Sequence, residues 1–108
     1  MYKGVIIKSS LRDPKILDRF RILGHTMSPN SGWDMYTVEA TREQLEDLSH
    51  ELDGGKWYAH FWQGRDVVVV YKDKTFELNF NDKASWRPAV DYGISIGIPK
   101  EQLDFPID

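Results

Sequence analysis

Lys56-Trp57-Tyr58-Ala59-His60-Phe61-Trp62-Gln63-Gly64-Arg65-Asp66-Val67-Val68-Val69-Val70-Tyr71 holds two strongly apolar runs on either side of a short Gln-Gly-Arg break. Neither run suits an exposed loop, and the break carries a Gly, as a short hairpin connection does. Successive side chains of a strand point to opposite faces, so the unbroken valine run must be apolar on both. The stretch predicts a hairpin with apolar groups on both faces of a sheet, so that helices or another subunit have to cover the second face. Within its first strand Tyr58, His60 and Trp62 share one side, opposite Trp57, Ala59 and Phe61.

Upstream, Tyr2 to Ile7 reads as a buried first strand, with Val5, Ile6 and Ile7 contiguous. Asp13-Pro14 has the form of a helix N-cap followed by Pro at the first helical position, where its missing N–H costs nothing. The next residues fit two patterns: Ile16, Phe20 and Leu23 keep helical spacing, whereas Arg19 to Ile22 alternate. The turn-forming cluster Ser28-Pro29-Asn30-Ser31-Gly32 favours a hairpin, which gives a short helical turn near 14–18 and strands near 19–27 and 33–40. Thr41-Arg42-Glu43-Gln44 matches a capping box, and Leu45, Leu48 and Leu52 then make one apolar stripe before Gly54-Gly55 ends the helix.

Downstream, Lys72-Asp73-Lys74 makes a polar corner and Thr75 to Phe80 alternates as a strand with one wet face, the expected sheet edge. Ser85 is placed to cap a last helix that tolerates Pro88 in its first turn, carries Ala89, Val90 and Ile94, and stops at Gly97-Ile98-Pro99. Leu103 and Phe105 give the tail a reason to dock on the body. The sum is one domain over residues 1–108, of α+β class: five or six mostly antiparallel strands in a two-layer arrangement, with two main helices on one face, ferredoxin-like or related.

Composition narrows the chemistry. At 108 residues and 41% hydrophobic content the chain can build a core without staples, and it has no cysteine, which excludes disulfides, thiolate metal sites and a cysteine nucleophile. No apolar run approaches the roughly 18 residues of a membrane span, and the short apolar N-terminal run lacks a signal-peptide core, so a soluble, cytoplasmic protein with no membrane partner is expected. A formal charge of −3, with basic residues scattered among acidic ones, counts against nucleic acid as a partner.

His25, His50 and His60 have no metal-ligand spacing, so no metal is expected, and the glycines match neither a dinucleotide nor a phosphate loop, so no cofactor is expected either. If the side of the strand bearing Tyr58, His60 and Trp62 is a cavity, His60 could act as a general acid or base, with Tyr58 orienting a ligand and Arg87 holding an anionic group. The plainer account makes His60 a half-buried sheet residue.

Met1-Tyr2-Lys3-Gly4-Val5-Ile6-Ile7-Lys8, the run Trp57-Tyr58-Ala59-His60-Phe61 and the ending from Tyr92-Gly93 through Gly97-Ile98-Pro99 to Phe105 resemble a family of small uncharacterised bacterial and archaeal proteins. The resemblance implies a compact domain whose C-terminal segment belongs to the fold, and carries no functional residue over. Two expectations follow. The first is a non-enzymatic binding module, homodimeric across the open face of its sheet. The alternative is a small enzyme or small-molecule binder with a pocket around Tyr58, His60 and Trp62.

Overall fold

Alternation along the valine run divides the core in two. In the computed structural model, which describes residues 1–29, 32–54, 56–105 and 107, Val68 and Val70 join one apolar cluster while Val67, Val69 and Tyr71 join another on the opposite face. The strands are β1 (Tyr2–Ile7), β2 (Arg21–Met27), β3 (Asp34–Ala40), β4 (Ala59–Gln63), β5 (Asp66–Tyr71) and β6 (Lys74–Asn79). They form one sheet in the order β2-β3-β1-β4-β5-β6, every adjacent pair antiparallel. The expected hairpin β4–β5 is formed, with Phe61 opposite Val68 and His60 opposite Val69, and turns through Gly64 at φ 60°.

Because β1 runs antiparallel to both β3 and β4, those two are parallel to each other with β1 between them, joined by helix α1 (Arg42–Glu51). By the same reasoning β1 and β2 are parallel with β3 between them, joined by the segment 8–20. That segment contains the expected turn after Asp13-Pro14, a 3-10 helix over Pro14–Arg19 whose Asp13 side chain accepts from the Lys15 N–H at 3.0 Å. Both connections lie on one face, where Leu11, Ile16, Leu17 and Phe20 pack with Leu45, Leu48 and Leu52 over Ile6, Val38 and Phe61.

The capping box is formed as expected: the Gln44 N–H donates to Thr41 Oγ1 at 3.1 Å and the Thr41 N–H to Gln44 Oε1 at 2.8 Å. Arg42, at the first position of α1, holds the helix to the edge strand through Glu77 at 3.2 Å and Thr75 at 3.2 Å. At the other end of the helix, His50 Nδ1 lies 2.9 Å from an Asp73 carboxylate oxygen in the β5–β6 turn. That histidine holds the Asp73 carboxyl below its ordinary range.

The expected placement of both helices on one face is not what the chain adopts. Helix α2 (Arg87–Ser95) covers the opposite face, where Trp86 and Ala89 pack with Val67, Val69, Leu78, Ile98, Leu103 and Phe105. An amphipathic stripe shows that a helix has something to bury, and β5 offers equal apolar surface on either side, so patterning did not choose. The half of the sheet made by β4, β5 and β6 therefore has three layers. Over β1, β2 and β3 the second face stays open, and Val5, expected to be buried, is 37% exposed there.

Two further details differ from expectation. Ser85 does not cap α2: its hydroxyl binds the Asn79 and Asp82 backbone, and the preceding 3-10 turn Lys83–Trp86, capped by Asp82, runs directly into the helix. Gly97 does end α2, at φ 96°, with the Ile98 N–H bonded to the Gly93 carbonyl and the Gly97 N–H to that of Ile94, a Schellman arrangement. Leu103 and Phe105 are buried, so the tail docks. The Ser28–Gly32 turn and the Gly54-Gly55 stop fall partly on Asn30, Ser31 and Gly55, which lie outside the described residues. Among those described, no helix is long and apolar enough to cross a membrane.

At Gly4 the strands β1 and β4 leave no room for a side chain. A Cβ there would meet the Phe61 ring and come within 2.5 Å of the His60 carbonyl oxygen, so the absence of a side chain lets the ring lie across β1. Gly4→Ala is expected to cost about 1–3 kcal/mol by overpacking against backbone that cannot yield. A lower urea midpoint at unchanged slope would show this, and an unchanged midpoint would refute it.

Candidate functional site

Strand β4 carries His60 and Trp62 on the face covered by α2 and the tail, and Tyr58 precedes them on the same side. Tyr58 is committed to the tail: its hydroxyl donates to the Gln102 carbonyl, and its ring lies 5.9 Å from Tyr71 and 5.8 Å, edge-on, from Phe105. The His60 ring lies 5.5 Å from Trp62 and 5.8 Å from Phe105. Phe105, wholly buried, thus lies beside Tyr58, His60 and Trp86. These aromatics are first of all a fastening for the C-terminal segment.

Beside that fastening the sheet leaves a mostly apolar concavity of about 210 Å³, bordered by Val5, Ile7, Met35, Ala59, Tyr58 and His60. Two of the anticipated residues, Tyr58 and His60, therefore do meet at a solvent-reachable hollow. Trp62 and Arg87 are not among its lining. Trp62 packs into the cluster under α2, and Arg87 stands exposed at the first position of that helix with no ion pair among the described residues. The helix starts at Arg87 rather than after a Ser85 cap, with Pro88 in its first turn as expected, and the residue before it, Trp86, is the one that enters the core.

The other histidines are apart from this hollow. His50 belongs to the contact with Asp73 described above, while His25 Nε2 lies 2.9 Å from Asp34 Oδ1. Among the described residues, no group of three or more His, Asp or Glu side chains converges as a metal site would require.

A larger concavity, of about 300 Å³, has no signature in the sequence pattern. Leu17, Ile22 and Tyr36 form its apolar wall, and Lys8, Lys15 and Asp18 stand around it. The His25 ring stacks on Tyr36 at 4.3 Å and 8° between planes, backed by Asp34. Its components come from β1's end, the 3-10 segment and two strands. No local spacing announces them, although the cross-strand pairing of His25 with Tyr36 follows once the β2–β3 register is known.

Comparison with known families, curated proteins and solved structures yields no match. The chain's own geometry is what bears on function.

Burial, and secondarily the Asp104 carboxylate, raises the Tyr58 phenol above its ordinary value, and burial chiefly raises Tyr71, whose hydroxyl donates to the Ala89 carbonyl at 2.7 Å. Both groups hold their protons more tightly folded than unfolded. Their contribution to stability is full below the unfolded value near 10 and is lost as pH rises through the folded values. Unfolding free energy should fall above about pH 10, and less steeply in Tyr58→Phe. That variant should also lose about 1 kcal/mol at neutral pH with the tail bond, and a pH profile identical to the parent's would contradict the assignment.

Proposed function

We propose that this chain is a non-enzymatic interaction module that assembles with a second copy of itself through its sheet, pairing edge strand β2 antiparallel to its counterpart. The observation that carries the reading is the contrast between the two sheet edges. Strand β6 is guarded by Lys74 and Glu77 and tied to α1 through Arg42. Strand β2 is exposed along all seven residues, and Ile22, Leu23 and Met27 are 44%, 45% and 62% exposed. An unguarded edge with apolar side chains presents free backbone donors and acceptors to another strand.

A second copy fits this edge better than face-to-face packing of the sheets, because α2 and the tail already occupy half of the second face. The bulge between Ile22 and Gly24 interrupts the first part of β2 and leaves Gly24 to Met27 regular. A two-fold axis at Thr26 would place Thr26 opposite its own counterpart and His25 opposite Met27, with no like charges facing each other. It would also join the two open strips around Val5, Ile7 and Met35 into one surface. For the fold, the first four strands support a ferredoxin-like unit, ordered β2-β3-β1-β4 with both crossovers on one face, to which β5, β6 and α2 are additions.

A second reading, small-molecule binding at the hollow bordered by Tyr58 and His60, is favoured by its apolar lining and reachable position. It would use His60 as the polar group; His60→Gln leaving ligand binding and turnover unchanged would remove it.

Sedimentation velocity tests the assembly. The parent chain is expected to form a reversible dimer at micromolar concentration, Leu23→Lys with Met27→Lys to sediment as a monomer, and Val5→Lys on the open face to remain dimeric. A monomeric parent at high micromolar concentration, or a dimer indifferent to the edge lysines, would overturn the proposal.

A further inference from the structure

The concavity bordered by Lys8, Lys15 and Tyr36 combines features that the assembly proposed above does not use. Its volume, about 300 Å³, reaches the lower end of the range that accepts small organic ligands. Its wall is apolar, from Leu17, Ile22 and the Tyr36 ring. Its charges are two ammonium groups and one carboxylate, Asp18. Neither Lys8 nor Lys15 forms a salt bridge with a carboxylate among the described residues; the contact of Lys15 with Asp13 is made by its backbone N–H. Two cations that outnumber the one carboxylate beside an apolar wall favour an anion as ligand.

Tyr36 is held ready for such a ligand. Its ring is stacked by His25, and His25 is fixed in turn by Asp34 2.9 Å away, so the wall does not have to be ordered on binding. The two lysines come from segments separated by the Asp13-Pro14 turn, and the 3-10 helix that begins there brings Lys15 to the same concavity as Lys8. Asp18 limits how much negative charge the site accepts: a dianion would face a carboxylate as well as the lysines.

We propose that this concavity binds small organic monoanions with a flat apolar body, of the aryl carboxylate class. The carboxylate is held by Lys8 and Lys15, and the body lies against Tyr36, Leu17 and Ile22. Pairing of β2 with a second copy is not required for it.

Amide NMR titration with benzoate tests this, with benzyl alcohol and benzylamine as neutral and cationic counterparts of the same shape. Benzoate is expected to give saturable shifts at Lys8, Lys15, Leu17, Ile22 and Tyr36 that weaken with added salt, and benzylamine none. The exposed double variant Lys8→Gln with Lys15→Gln should raise the benzoate Kd about tenfold, equivalent to about 1.4 kcal/mol, while its amide spectrum elsewhere stays that of the parent. Shifts that do not saturate, shifts shared equally by all three probes, or an unchanged Kd in the double variant would each overturn the assignment.

Discussion

Burial of β5 on both of its faces is the constraint from which the architecture follows. Val67 to Tyr71 are all essentially inaccessible, and removing such side chains from water is worth about 1.5–3 kcal/mol each. Exposed ion pairs in general contribute about 0–1 kcal/mol, so no arrangement of surface charges could compensate for leaving one face of this strand wet. The chain meets the requirement with two separate coverings, α1 with the 3-10 segment on one side and α2 with the tail on the other. Because the second covering is short, it reaches only β4 to β6. The open strip and the unguarded edge are the remainder of that unequal division.

Much of this was legible from residue patterns where the signal is local. The two-faced hairpin, the Thr41 box, the Asp13-Pro14 start, the Gly97 stop and the edge position of β6 each depend on neighbours within a few residues, and each took the anticipated form. What local pattern could not choose was the side on which α2 would pack. Nor could it reveal that Val5, in a continuous apolar run, would keep one face in water. Those outcomes depend on how far the tail and α2 extend across a sheet whose strand order brings β1 next to β4, a contact between residues far apart in the chain.

The candidate residues show the same limit. Tyr58 and His60 were recognisable as lying on one side of a strand, and they do border a hollow. Their company was not recognisable: Phe105 approaches both rings and the Gln102 carbonyl takes the Tyr58 hydroxyl. A cation at Arg87 would complete an anion site, yet helix phase places it outward while Trp86 turns in. The pair of lysines in the larger concavity went unnoticed for the converse reason, since their meeting depends on a 3-10 turn and on the β2–β3 pairing rather than on any periodic spacing.

Phe105 lies at the centre of the second core but is made after every strand it packs against. Until residues 98–105 have left the ribosome, Tyr58, His60 and the α2-facing valines would have an incomplete roof, whereas the core beneath α1 could already close over strands made earlier. The two sides of the sheet therefore differ in what they wait for: the second depends on contacts that only the segment 98–105 supplies.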